Sequence, residues 1–185
     1  MAVYVGLPFA TGGLLRSAWQ ISVTAMVAEL LGTFEQRFGF EPGTNELGPP
    51  ASQEAVTSLA ALRPVPARDL LTLYRKVGEV SLPDVGNGYF IHSPSLVISH
   101  RGEPPCIGQP FDVDVLVFAS DGGCALYAPS AAEAGPVYRL RECAIWNGVA
   151  AAREIQTVAE DLQEFLQHLQ TAIGTYTRTG DLTDL

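Results

Sequence analysis

The ten residues Phe118-Ala119-Ser120-Asp121-Gly122-Gly123-Cys124-Ala125-Leu126-Tyr127 constrain this chain more than any other stretch. One apolar run enters an Asp-Gly-Gly turn and a second leaves it, the pattern of an antiparallel hairpin. Gly135-Pro136-Val137-Tyr138-Arg139-Leu140 follows as the next strand. No recognised catalytic or metal-binding motif accompanies these strands, which points to a protein whose work is contact with another protein.

Other strands are expected around the hairpin. Tyr89-Phe90-Ile91 follows the turn Gly86-Asn87-Gly88, and Leu96-Val97-Ile98 reads as another short strand. In the run 111–118, Phe111, Val113, Val115 and Val117 alternate onto one face, with Leu116 and Phe118 on the other near its end. Helices flank these strands. Leu15, Trp19, Ser22, Met26, Leu30 and Phe34 recur at helical spacing within 14–38. Residues 39–50, rich in Gly and Pro, read as a loop. Ser52 caps a short helix carrying Val56, Leu59 and Leu62, which must stop before Pro64. A second helix starts near Pro66 and displays Leu70, Leu71, Leu73, Tyr74 and Val77, with Gly78 as its left-handed cap. The last helix opens on the capping box Thr157-x-x-Glu160 and carries Val158, Leu162, Phe165, Leu166, Leu169 and Ile173 on one stripe, closed by Gly174. The order predicts an α+β domain, an antiparallel or mixed β-sheet flanked by helices, with an N-terminal helical extension. Residues 1–50 form that extension and a linker, 51–174 the domain, and 175–185 a frayed tail.

The charge balance narrows the partners. A net charge of -9 and a pI near 4.7 argue against nucleic acid, because neutralising phosphates needs a basic face. Residues 151–185 hold six acids against two arginines, and such a surface repels anionic membranes and attracts a basic partner. The basic residues are ten arginines and Lys76 alone, a bias that reflects base composition before function. Cys106, Cys124 and Cys143 are odd in number and form no CxxC pair, which fits a reduced, cytoplasmic compartment. The start of the chain lacks the basic stretch of a secretory signal, and Arg16, Gln20 and Glu29 interrupt its most apolar window, 14–31.

The side chains that would carry chemistry are scattered. Asp112 and Asp114 alternate with valines, which sets their Cα atoms about 6.5–7 Å apart on one strand face. No third ligand or nearby histidine completes a cation site or an acid/base pair, so protein contact is the better use for them. Asp121-Gly122-Gly123 lacks the spaced acids of a calcium loop and is a turn, and Gly86-Asn87-Gly88 cradles no phosphate. Of the three histidines, which are too scattered for a ligand set, His92 precedes Ser93 at a strand end, and a strand-end hydrogen bond is its ordinary role. Trp146 lies between Ile145 and Asn147 in a loop and suits an interface anchor. No cofactor, metal or catalytic set is expected, and the chain reads as a binding protein rather than an enzyme.

Four segments in order resemble the SUKH superfamily, which includes bacterial immunity proteins and a fungal regulator of cell-wall synthesis. They are Val65-Pro66 with the helix through Leu73-Tyr74; Gly86-Asn87-Gly88-Tyr89-Phe90-Ile91-His92; Val117-Phe118-Ala119-Ser120-Asp121-Gly122-Gly123 with Leu126-Tyr127-Ala128 and then 135–140; and Val158-Ala159-x-Asp161-Leu162-x-x-Phe165-Leu166-x-x-Leu169. The chain departs from the pattern where Cys124-Ala125 replaces further glycine and where Val-Pro replaces Leu-Pro. The resemblance spans residues 51–173 and implies an α+β fold with a binding role. Many bacterial relatives neutralise a polymorphic toxin, often a nuclease or deaminase, by covering its active site. Under that expectation Glu103, Asp112, Asp114 and Asp121 are candidate partner contacts and Trp146 a candidate anchor. The alternative is an intracellular regulatory or scaffold module that binds endogenous proteins.

Overall fold

The computed structural model describes residues 12–62, 68–99, 106–107, 113–114, 116–130, 135–141, 145–146, 149–150, 155–183 and 185. It is an α+β fold whose seven-stranded sheet is antiparallel throughout, in the order β1-β2-β3-β6-β7-β8-β11. These strands are β1 (Glu46–Leu47), β2 (Val80–Leu82), β3 (Tyr89–Ile91), β6 (Ala119–Asp121), β7 (Ala125–Pro129), β8 (Val137–Arg141) and β11 (Ile155–Ala159). A second, four-stranded sheet is built from two-residue strands, β4 (Cys106–Ile107), β5 (Val113–Asp114), β9 (Ile145–Trp146) and β10 (Val149–Ala150). The expected hairpin is present: β6 and β7 pair as Ala119↔Tyr127 and Ser120↔Leu126. β8 joins β7 as its next neighbour, with Leu126 opposite Leu140.

The register explains which face is covered. One cross-strand row runs Leu47, Val80, Ile91, Ala119, Tyr127, Arg139, Gln156, and from Val80 to Tyr127 it is buried. Helices pack on this side. Side chains in a row share a face, so the next row, from Glu46 through Ser81 and Phe90 to Ile155, lies on the other side of the sheet.

The N-terminal helix α1 (Gly12–Phe38) is part of the core and not an appendage. Trp19, Val23, Val27, Leu30 and Phe34 are buried along one stripe. Each such side chain contributes about 1.5–3 kcal/mol by leaving water. They pack against α5 (Leu162–Thr179), whose Phe165, Leu166, Leu169, Ala172 and Ile173 are buried in turn. The Trp19 indole N–H donates to the Leu166 carbonyl at 2.7 Å, and Phe38 stacks on Tyr176 with planes 5° apart. The segment after α1, expected to be a linker, supplies β1, which pairs with β2. The described residues before and after position 50 therefore meet in one core and one sheet.

Several local expectations are corrected. Ser52 does cap α2 (Gln53–Ala60), accepting from Ala55 N at 3.1 Å. α3 spans Arg68–Tyr74, and the expected start near Pro66 lies outside the described residues. Gly78 is not a left-handed cap; it is buried, its N–H donates to Pro49 O at 2.8 Å, and a Cβ there would lie 2.5 Å from that oxygen. Residues 96–98 are not a strand but lie in α4 (Pro94–Ser99). Ser93 accepts from Leu96 N, and Pro94 is suited to a first turn, so the cap overrides the β-branched run. The run 111–118 is not one strand among the described residues: β5 holds Val113–Asp114, and β6 begins at Ala119.

The capping box of α5 lies four residues later than expected. Residues 155–159 pair with β8, so the N-cap is Asp161, which accepts from Glu164 N at 2.8 Å. Glu164 reaches back to Glu160 N at 2.6 Å. Gly174 lies inside the helix, where a Cβ would come 3.3 Å from the Met26 thioether and crowd α1. The helix continues to Thr179 and ends on Gly180 at φ 79°. Residues 175–179 are thus helical and Thr177 is buried, which corrects the frayed tail. No described helix is long and apolar enough to cross a membrane.

Candidate functional site

Two constellations carry the polar side chains of the sheet, one on each face. On the helix-covered side, the β6–β7 turn is organised by Asp121. Its Oδ1 accepts from Gly123 N at 2.8 Å and Ala125 N at 2.9 Å. Its Oδ2 accepts from the Tyr127 phenol at 3.3 Å and lies 3.8 Å from the Arg139 guanidinium. The Asp121 side chain is only 10% exposed. Both oxygens therefore hold the turn together, and little of this carboxylate is left to meet a partner. Burial, and next the Asp121 charge, push the Tyr127 phenol well above its ordinary value. Burial alone does the same to Tyr74. Gly122 packs so closely that a Cβ would fall 1.7 Å from Asn87 O, which ties this turn to the turn before β3.

On the other side a register row crosses all seven strands: Glu46, Ser81, Phe90, Ser120, Leu126, Leu140, Ile155. Leu140 is fully buried with Ala128 and Tyr138 in a small second cluster, against which Val117, Leu126 and Ile155 pack partly. Ser81, Phe90, Ser120 and His92 are half-buried. His92 Nε2 lies 2.8 Å from Ser120 Oγ, joining the end of β3 to β6. The His92 carbonyl accepts from the Tyr74 phenol at 2.7 Å, and its N–H donates to Phe118 O at 2.8 Å. The serine–imidazole contact, with the backbone held on both sides, acts as a strand-to-strand tie. Among the described residues no group of three or more His, Cys, Asp and Glu is placed to hold a metal ion.

Of the residues expected to meet a partner, Glu103 and Asp112 lie outside the described residues. Asp114 is in β5 and Trp146 in β9, the two edge strands of the small sheet. The pairings Asp114↔Cys106, Cys106↔Val149 and Val149↔Trp146 set them in one cross-strand row, although 32 positions separate them in sequence. Trp146 is thus in a strand and not in a loop. Asp121 is remote from this row in topology and belongs to the main sheet. Reasoning from sequence missed Phe90, Ser120 and Leu126 as a shared surface. The alternation of Val80-Ser81-Leu82 and of 89–91 carried the signal, but the register that aligns them is a tertiary property.

A groove of about 310 Å³ also runs between α1 and α5, floored by Trp19 and Leu166 and edged by Ser22, Gln163, Gln167 and Gln170. Gln170 donates to Ser22 Oγ across it at 3.0 Å. No family model and no curated protein matches this chain.

Proposed function

We propose that this protein is a non-catalytic, SUKH-like binding module, an immunity protein that neutralises a basic toxin domain of nuclease or deaminase type by covering its active site. The observation that carries the reading is the asymmetry of the sheet. One face is covered by helices along its length, while the other carries a small buried cluster of Ala128, Tyr138 and Leu140 at one end and keeps Ser81, Phe90, His92 and Ser120 half-buried on an antiparallel frame. A pre-formed face of mixed apolar and hydroxyl character suits contact with a folded protein, since little ordering is needed on binding. The net charge of -9 supports a basic partner, because opposite charge speeds encounter and lets an acidic protein stand in for a phosphate substrate. The cytoplasm is the compartment in which such a partner would be held inactive in the producing cell.

The test is capture of partners from the producer's lysate on the tagged chain, washed at low and high salt. One basic protein with a nuclease- or deaminase-like domain, released by salt and inhibited by the chain, supports the reading. In that complex Phe90→Lys should weaken binding at least tenfold with the fold unchanged by circular dichroism. Capture of several housekeeping proteins, with no toxin among them, would replace this reading with the regulatory or scaffold module.

A further inference from the structure

The turn before β3 contains a pair of residues able to modify itself, Asn87-Gly88, and the fold demands its glycine. Gly88 has φ 94°, and a Cβ there would lie 2.9 Å from the Phe90 ring. Only a residue without a Cβ takes that conformation freely. Glycine after asparagine has a chemical consequence, because no side chain hinders the approach of its backbone nitrogen to the asparagine amide carbon. Once that nitrogen has lost its proton it attacks Asn87 Cγ. The N–Cγ bond forms, the Cγ–Nδ2 bond breaks, and Nδ2 takes up a proton and leaves as ammonia. Water then opens the five-membered imide at either carbonyl, which leaves aspartate or isoaspartate at position 87. Water is the one co-reactant, and nothing is oxidised or reduced.

The peptide bond that would have to move is held from both sides. The Gly88 N–H donates to Val85 O at 2.9 Å, and Gly88 is buried. The Gly88 carbonyl accepts from Gly122 N at 3.2 Å. Asn87 O packs on Gly122 so closely that a Cβ there would fall 1.7 Å from it. The β6–β7 turn that applies this hold is itself fixed by Asp121, which accepts from Gly123 N and Ala125 N. Asn87 is exposed, so the restraint lies in the hold on the attacking nitrogen and not in burial of the side-chain amide.

We propose that Asn87-Gly88 is a latent modification site guarded by the β6–β7 turn, whose contact keeps the Gly88 nitrogen from cyclising onto Asn87. Both products are incompatible with the contact that guards it. Isoaspartate adds a methylene to the main chain where Gly122 leaves no room. Aspartate adds a carboxylate near that of Asp121, since a Cβ on Gly123 would lie 3.3 Å from Asp121 Oδ1 and 3.6 Å from Asn87 Nδ2. Modification would therefore disturb the junction of the two turns at the start of β3, the strand that carries Phe90. The inference does not depend on the toxin reading.

Ageing of the full chain at mildly alkaline pH tests the guard, with peptide mapping to separate Asn87-Gly88 from Asn147-Gly148. Hydroxide-catalysed hydrogen exchange and cyclisation pass through the same Gly88 amide anion, so structure that slows the first slows the second. Isoaspartate at 87 should form at least about tenfold more slowly in the native chain than in a blocked peptide of residues 83–92. Gly122→Ala, whose methyl cannot share space with Asn87 O, should bring the rate back up at least about fivefold while the chain stays folded by circular dichroism. Equal rates in the native chain and the peptide would overturn the proposal. So would a folded Gly122→Ala chain that ages no faster than the native one. Should that variant fail to fold, hydrogen exchange of the Gly88 amide in the native chain decides: slowed exchange supports the guard, and exchange at the free-peptide rate would sink it.

Discussion

Cys124 occupies the left-handed region at φ 67°, a conformation that costs a side-chain-bearing residue about 1–2 kcal/mol. Its thiol is exposed and makes no disulfide, and the turn is held around it by Asp121, which accepts from Gly123 N and Ala125 N. Cys124→Gly should stabilise the chain by about 0.5–1 kcal/mol, the relief being partly offset by the freedom glycine gains when unfolded, and urea denaturation measures it. The tyrosines set a pH limit. Tyr74 and Tyr127 hold their protons more tightly folded than unfolded, so their contribution to stability is complete below the unfolded value of 10.0 and is lost progressively as pH rises beyond it. Stability should therefore be insensitive to these groups up to about pH 10 and fall above it. Tyr74→Phe should flatten part of that fall while costing about 1 kcal/mol at neutral pH through the lost bond to His92 O.

At the scale of elements, caps decide boundaries that periodicity leaves open. Asp161→Ala should cost about 1 kcal/mol by stripping the α5 N-terminus of its acceptor, whereas Thr157→Ala should stay within about 0.5 kcal/mol because that exposed residue lies in β11. Thermal melts of the two variants separate the alternatives directly. Both Thr157-x-x-Glu160 and Asp161-x-x-Glu164 satisfy the local pattern of a box. Pairing of β11 with β8, an interaction 15 residues apart at Ile155↔Leu140, holds the first in extended conformation. The hairpin 118–127 needed no such help, because its turn residues and both apolar arms are local. α4 was hidden for the opposite reason: a six-residue helix shows too little period for its cap to be weighed against Val97 and Ile98.

For the whole molecule, the decisive contact is α1 on α5. Leu30 is fully buried in it, so Leu30→Ala should cost about 2–5 kcal/mol with an unchanged denaturant slope, a result no detachable extension would give. Glycine at 174 serves this packing by letting Met26 approach. The candidate surface is likewise a property of the assembled sheet. Phe90, Ser120 and Leu126 come from three strands and form a row only once β3, β6 and β7 are in register. Asp121 moved the other way: an exposed-looking acid in a glycine turn proved to be the internal acceptor for two amides and a phenol.

Read alone, the sequence determined the α+β class, the hairpin at Asp121-Gly122-Gly123, the amphipathic stripes of α1 and α5 and the Ser52 cap. Each of these is set by residues within a few positions of one another, through turn conformation, side-chain period or a local hydrogen bond. Only the tertiary structure decided that α1 and β1 share the core and the sheet, that Gly78 and Gly174 are sites of close approach, that Asp114 and Trp146 stand in one row, and that Leu185 packs against the core. Those outcomes depend on which distant surfaces meet and in what register, and a one-residue shift in that register would exchange the helix-covered face of the sheet for the opposite one.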